Sequence, residues 1–193
     1  MNRALIWVTA LVGLSVMTGL MLGLDALIRV KQNWVSMKLP TALMFCLSSL
    51  IMSCIVDLKL KPVIRLVTCS MASFWMLGLC GIAALGHLMI PASFDLAIRD
   101  CLYGSSLSTL VCFVAVAIGG IVLVFNTNCM FKRFTVIGKI ITSIASLALV
   151  GYALNFPFLR FDIPGIVDPM ACNTAVGLLA VGAFFLNVKE RLK

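Results

Sequence analysis

Six predominantly apolar stretches, each about long enough to cross a lipid bilayer, dominate this sequence. They occupy approximately residues 4–24, 39–56, 66–90, 105–125, 134–154 and 170–188. A helix rises about 1.5 Å per residue, so about twenty residues cross a hydrocarbon core of about 30 Å. Backbone polar groups in lipid must be satisfied within the structure, and the polar/apolar alternation of a barrel is absent. The sequence therefore predicts an all-α, polytopic transmembrane bundle of six helices, with residues 1–193 forming a single domain.

The composition separates this chain from soluble proteins and from nucleic-acid-binding proteins. Hydrophobic residues make up 62% of it and charged residues 11%, whereas soluble domains are about half apolar and about a quarter charged. The formal net charge of +8 resides in short basic clusters between the apolar stretches and not in one continuous basic surface. We therefore expect the lipid bilayer to surround the chain, and we expect no nucleic-acid partner.

The distribution of basic residues predicts the orientation in the membrane. With six spans, both termini lie on one face, and that face carries ten basic residues: Arg3, Lys59, Lys61, Arg65, Lys132, Arg133, Lys139, Lys189, Arg191 and Lys193. The other face carries five: Arg29, Lys31, Lys38, Arg99 and Arg160. Because the face of a membrane protein that is richer in lysine and arginine is cytoplasmic, we predict that both termini are cytoplasmic, in a bacterial inner membrane.

A weak threefold repeat divides the six spans into three helical hairpins. The second, fourth and sixth spans open with similar residues around Thr41, Thr109 and Thr174, which are 68 and 65 residues apart. Each threonine stands where a helix is expected to begin, and Ser, Thr and Asn suit helix N-termini in any protein. The regular spacing favours internal duplication over this local explanation.

The last of these openings resembles a known class of membrane domain. Asn173-Thr174-Ala175, followed by a leucine- and glycine-rich helix, is similar to the membrane-embedded input regions of bacterial sensor histidine kinases and diguanylate cyclases. In those proteins, paired helices with this opening precede cytoplasmic signalling domains, so the resemblance implies a free-standing sensory region. The residues up to Lys193 contain no output domain, so we expect a signalling role to require a protein partner or a longer chain.

Three polar residues at the outer ends of the first, third and fifth spans are the candidate ligand-binding residues. Asp25, His87 and Asn155 precede their respective threonines by 16, 22 and 19 residues. Ionisable groups within membrane spans are costly and often functional, and a histidine titrates near neutral pH. If the hairpins surround one axis, the three side chains converge on one outward-facing pocket. Otherwise each residue marks the point where its helix leaves the lipid.

The sequence contains no recognisable catalytic or metal-binding pattern. Ser105 and Ser106 follow a glycine, but His87 is the only candidate base, and the spans lack paired carboxylates and a phosphate-binding glycine loop. The eight cysteines include no CxxC pair and lack the spacing of a zinc or dithiol site. Cys101 and Cys172, both expected near the outer face, are candidates for one disulfide. We predict no enzymatic activity, no metal and no cofactor.

The leading hypothesis is a non-enzymatic sensory or regulatory subunit that acts on a membrane or cytoplasmic protein partner. One alternative is a small-molecule binding or transport subunit, which needs a polar pocket in the outer half of the bundle. Another is an immunity or exclusion protein that blocks a toxin or phage by packing against it. Gly19 and Gly23 form a GxxxG step that suits a homo-oligomer or a contact within the chain. Other glycines, including Gly78, Gly81 and Gly182, are expected to allow close helix contacts.

Overall fold

Long helices form the described part of this protein. A computed structural model describes residues 2–28, 34–57, 61–89, 105–125, 130–161 and 169–188. The helices in these ranges are α1 (Asn2–Leu22), α2 (Asp25–Ile28), α3 (Leu39–Val56), α4 (Pro62–Met89), α5 (Leu107–Val124), α6 (Met130–Ala153) and α7 (Cys172–Asn187), with a 3₁₀ turn at Pro157–Arg160. Every regular element within these ranges is helical, which confirms the predicted all-α class.

Five of the described helices are long and apolar enough to cross a membrane, namely α1, α3, α4, α5 and α6. The last helix, α7, is also apolar but has 16 residues, which extend about 24 Å. The chain thus has the helices of a multi-pass membrane protein, as its apolar stretches predict.

Local residue preferences explain where several helices begin and end. α1 ends two residues before the predicted boundary because Gly23 has a φ of +67°, a left-handed conformation that glycine adopts readily. Pro40 lies in the first turn of α3, and Pro62 is the first residue of α4. A proline at these positions removes no helical hydrogen bond. α4 therefore begins four residues earlier than predicted.

The helices pack most extensively in three pairs: α1 with α3, α4 with α5, and α6 with α7. The pairs also contact one another, through α3 and α4, α5 and α6, and α7 and α1, so these six described helices close into a ring. α3 additionally contacts α5 and α7 across the ring. We call α3, α5 and α7 the inner helices, and α1, α4 and α6 the outer helices. The pairing follows the predicted hairpins, while their origin by internal duplication stays a prediction.

Phenylalanine side chains form a prominent part of the buried core. Phe45 of α3 and Phe113 of α5 are fully buried, and their rings meet edge to face with centroids 5.1 Å apart. Phe185 of α7 packs edge to face against Phe134 of α6, with ring centroids 5.5 Å apart. The core therefore contains aromatic residues from all three helix pairs.

Glycines admit close contacts on some helix faces and not on others. A Cβ atom added at Gly182 of α7 would lie 2.9 Å from the backbone nitrogen of Thr142 in α6, so these two backbones approach closely. Gly19 packs against α2 of the same chain, which favours the intramolecular alternative for the GxxxG step. At Gly78 and Gly81 of α4, no described atom lies within 4 Å of such a Cβ. Among the described residues, these two glycines therefore admit no close helix contact.

Candidate functional site

The three repeat threonines lie together at the end of the bundle where the inner helices begin, which we call the threonine end. Each is the third residue of its inner helix. Thr41, Thr109 and Thr174 are all buried, and they line the same small cavity. Closure of the ring brings the three helix starts to one place, so residues that lie far apart in the sequence form one cluster.

One hydrogen bond between hydroxyl groups joins two of the helix pairs within this cluster, and a second lies within the start of α5. The Oγ1 atom of Thr41 lies 2.9 Å from the Oγ atom of Ser105, which precedes α5. Ser106 Oγ lies 2.6 Å from Thr109 Oγ1. Ser105 and Ser106 are buried like the threonines, and buried hydroxyl groups are stable when they are hydrogen-bonded. We define the threonine cluster as Thr41, Ser105, Ser106, Thr109 and Thr174.

The inner helices begin in different ways. Ser106 is the N-cap residue of α5, and its Oγ atom accepts a hydrogen bond from the Thr109 N–H at 3.4 Å. Lys38 and Ala171 occupy the same position before α3 and α7, and neither side chain makes a capping hydrogen bond. Lys38 instead lines the cavity of the threonine cluster. This end of the bundle therefore combines hydroxyl groups, a lysine and the positive ends of three helix dipoles.

The size of the cavity limits what the threonine cluster can hold in this conformation. Its volume is about 10 Å³, about enough for one water molecule, whereas small-molecule pockets usually measure about 300–1,000 Å³. Hydroxyl groups can both donate and accept hydrogen bonds. The part of the chain that the structure describes contains no group of three acidic, histidine or cysteine residues suited to a metal ion. A larger ligand would require the helix pairs to separate.

A second set of contacts at the threonine end joins the first and third helix pairs. The side-chain amide of Asn173, adjacent to Thr174, donates a hydrogen bond to the Ile28 carbonyl at 3.3 Å. The backbone N–H of Met37 donates to the same carbonyl at 3.0 Å. Asn173 therefore helps to position the connection that leads into α3.

Tyr152 of α6 is the centre of an aromatic contact at this end. Its hydroxyl donates a hydrogen bond to the Met170 carbonyl at 2.7 Å. The ring of Trp34, which precedes α3, lies 4.7 Å from the Tyr152 ring, and the Arg160 guanidinium stands 5.2 Å from the ring centroid. Such aromatic and cation–π contacts are attractive. Tyr152 thus ties α6 to the segment that leads into α7 and to the segment that leads into α3 of the first pair.

The three polar residues predicted to converge on an outer pocket belong to the same end of the bundle. Asp25 is exposed at the start of α2, and Asn155 is exposed after α6 with a φ of +51°. His87 is in the last turn of α4, and its side chain lies outside the described residues. Neither Asp25 nor Asn155 lines the cavity of the threonine cluster. Convergence of the three stays a prediction, and Cys101, the candidate partner of Cys172, also lies outside the described ranges.

The residues that contact the three threonines have a weaker signal in the sequence than the threonines themselves. Ser105 and Ser106 are recognisable as a helix start, but the contact of Ser105 with Thr41 spans 64 residues. Asn173 had a local signal, since it is the polar residue directly before Thr174. No signal in the sequence predicts the contact between Trp34 and Tyr152, apart from the general frequency of aromatic residues near membrane interfaces.

No protein-family model, curated protein sequence or solved structure matches this chain. The resemblance of Asn173-Thr174-Ala175 to sensory input regions consequently stays a prediction.

Proposed function

We propose that this protein is a non-enzymatic sensory or regulatory subunit of a bacterial inner membrane that acts on a protein partner. In this proposal, the six long helices cross the bilayer as three repeated hairpins, both termini are cytoplasmic, and the threonine end faces outward. A signal at the threonine end changes the packing of the hairpins, and the cytoplasmic helix ends pass this change to the partner. The observation that carries the proposal is the buried hydrogen bond between Thr41 and Ser105 at the junction of the inner helices.

The bond between Thr41 and Ser105 suits a switch because it connects two units that can move separately. Contacts within each helix pair are more extensive than contacts between pairs, so the pairs are natural rigid units. Hydrogen bonds between membrane helices contribute about 0.6 kcal/mol on average, which a competing polar group can offset. Binding at the cluster would therefore shift the population between joined and separated hairpins.

The cavity of the threonine cluster does not suit small-molecule uptake. The described residues leave about 10 Å³ within it, far less than a substrate pocket needs. A transport subunit would need a site elsewhere in the bundle, and an immunity protein needs only a surface that fits its target. Both alternatives give different outcomes in the experiments below.

Single cysteines at exposed residues test the orientation, in a variant that lacks the native cysteines. Asn155→Cys marks the threonine end and Lys61→Cys marks the opposite end, since both residues are exposed. A membrane-impermeant maleimide added to intact cells should label Asn155→Cys and spare Lys61→Cys. Both should react in broken cells. Labelling of Lys61→Cys alone in intact cells would reverse the proposed orientation.

Replacement of Thr41 by valine tests the proposed switch, because valine keeps the shape of the side chain and removes its hydroxyl. Thr18→Val is the matched control, since Thr18 is exposed and its hydroxyl bonds the Ser15 carbonyl in its own helix at 2.9 Å. In a strain that lacks the protein, we expect altered transcript levels that the parent sequence and Thr18→Val restore. Thr41→Val should reach the membrane in equal amounts and fail to restore them.

Four results would contradict the sensory role or the proposed switch. Unchanged transcripts in the deletion strain contradict signalling, and equal restoration by Thr41→Val and Thr18→Val contradicts the switch. Loss of solute accumulation without a transcript change supports transport, and loss of survival against a toxin or phage supports immunity. If Asp25, His87 and Asn155 do converge, His87→Ala should abolish the response at an unchanged membrane level.

A further inference from the structure

A groove of about 420 Å³ lies between α1 and α3 at the end of the bundle opposite the threonine end. Its walls come from the start of α1 and the last two turns of α3. The lining residues include Arg3, Ile6 and Trp7 on α1 and Ser49, Ser53 and Asp57 on the α3 side. The volume falls within the usual range for a small-ligand site, so the groove is large enough to hold a lipid headgroup.

The two walls of this groove have opposite hydrogen-bonding character. On the α1 wall, the Arg3 guanidinium can only donate. On the α3 wall, the hydroxyl hydrogens of Ser49 and Ser53 are directed to carbonyls of their own helix, at 2.7 and 2.8 Å. The serine oxygens can therefore offer the groove only lone pairs. Asp57 adds a carboxylate to the same wall.

The end of α3 strengthens this polarity. The helix ends at Val56, and Asp57 follows it with a non-helical conformation. The last carbonyl groups of a helix carry a partial negative charge that favours a nearby cation. The α3 wall therefore suits a cationic donor, and the α1 wall suits an anionic acceptor.

The remainder of the groove suits hydrocarbon. Ile6 and Ala10 continue the α1 wall towards the middle of the helix, and Trp7 lines the groove with 68% of its surface exposed. Tryptophan is common where the headgroups meet the acyl chains. One ligand that carries an anion, a cationic donor and apolar chains would match all parts of the groove.

We propose that this groove binds one phosphatidylethanolamine molecule, with the phosphate at Arg3 and the primary ammonium at Asp57, Ser49 and Ser53. The acyl chains follow the apolar residues of α1. The ammonium N–H groups meet the acceptor wall, and the phosphate oxygens meet the donor wall. Phosphatidylcholine lacks the N–H donors, and phosphatidylglycerol lacks the cation, so each fails to complement one wall.

Native mass spectrometry of the purified, full-length protein tests this site with equal amounts of three added lipids. The protein should retain one phosphatidylethanolamine in preference to phosphatidylcholine and phosphatidylglycerol of the same chain length. Asp57→Asn should lower phosphatidylethanolamine binding about tenfold and leave phosphatidylglycerol binding unchanged, because only the ammonium partner is weakened. Arg3→Gln should weaken all three lipids, because they share the phosphate.

One exposed charge away from the groove provides a matched control for Arg3→Gln. Lys132→Gln removes a cation from an exposed side chain and should keep the wild-type preference. A series in which the lipid amine carries one, two or three methyl groups tests the parent sequence without mutation. Lipid binding should fall with each N–H group that methylation removes. Equal retention of all three lipids by the parent sequence, or an unchanged lipid preference in Asp57→Asn, would overturn the proposal.

Discussion

The first and second long helices are equally apolar but have different surroundings. The most apolar 18-residue windows of α1 and α3 have the same mean hydropathy of 2.1, yet 22% of the α1 window and 61% of the α3 window is buried inside the protein. The other outer helices, α4 and α6, are also less buried than the inner helix α5. Hydropathy thus identifies helices suited to a membrane but does not show which helix occupies the centre of the bundle.

The reason lies in the solvent of a membrane helix. Lipid chains are as apolar as leucine, so apolar side chains gain little by leaving lipid for protein. Packing of shapes and satisfaction of polar groups decide the arrangement instead. The inner helix α3 has Thr41, Phe45 and Ser48 buried, whereas α1 exposes Trp7 and Leu11 to its surroundings. Paired substitutions on buried and exposed faces test this difference, from the largest expected effect to the smallest.

Truncation of a core aromatic should have the largest effect. Phe45→Ala removes a fully buried ring from contact with Phe113, and we expect a loss of about 3 kcal/mol in unfolding free energy because a cavity remains. Phe74→Ala on α4, where the side chain is 73% exposed, should change stability little. SDS titration in mixed micelles measures the unfolding free energy of both variants. Equal losses would show that the two faces do not differ in packing.

A larger side chain at a close helix contact should have the next largest effect. Gly182→Val places methyl groups against the Thr142 backbone, where even a Cβ atom lacks space, and overpacking costs about 1–3 kcal/mol. Gly81→Val is the matched control, because the described residues leave open space around Gly81. The same SDS titration should show destabilisation for Gly182→Val only. A stable Gly182→Val variant would contradict the close approach of α6 and α7.

Removal of the Tyr152 hydroxyl should have a smaller effect. Tyr152→Phe loses the hydrogen bond to the Met170 carbonyl and keeps the ring beside Trp34. We expect a loss of about 1 kcal/mol in unfolding free energy. Tyr152→Leu, which also removes the aromatic contacts, should lose more, and the difference measures the ring contribution. If the two variants are equally stable, the ring does not join the helix pairs.

Removal of the Thr41 hydroxyl should have the smallest effect on stability. Thr41→Val breaks the bond to Ser105, and bonds of this kind in membrane proteins contribute about 0.6 kcal/mol. Thr18→Val should be neutral, because its hydroxyl bonds only its own helix. A small loss of stability in Thr41→Val together with a lost cellular response would separate a signalling role from a purely structural one. A loss above about 2 kcal/mol would instead identify the bond as a main structural contact.

Part of the site could be predicted from the sequence because it follows local rules. Thr41, Thr109 and Thr174 were identified by their spacing, and each is the third residue of an inner helix. Helix starts favour such residues wherever they occur, so a threonine of this kind can be recognised without knowledge of the fold. Gly78 and Gly81 illustrate the limit, since glycine in a membrane helix does not reveal whether another helix faces it.

The sequence alone determined the helical class, the membrane-crossing stretches and the positions of the three threonines, because these depend on length, hydropathy and local helix chemistry. Only the tertiary structure decided that α3, α5 and α7 are central, that Thr41 meets Ser105, and that Arg3 and Asp57 line one groove. These contacts join residues more than 50 positions apart. Because lipid and the protein interior are similarly apolar, hydropathy does not determine these contacts. The packing of the helices in the closed ring determines them.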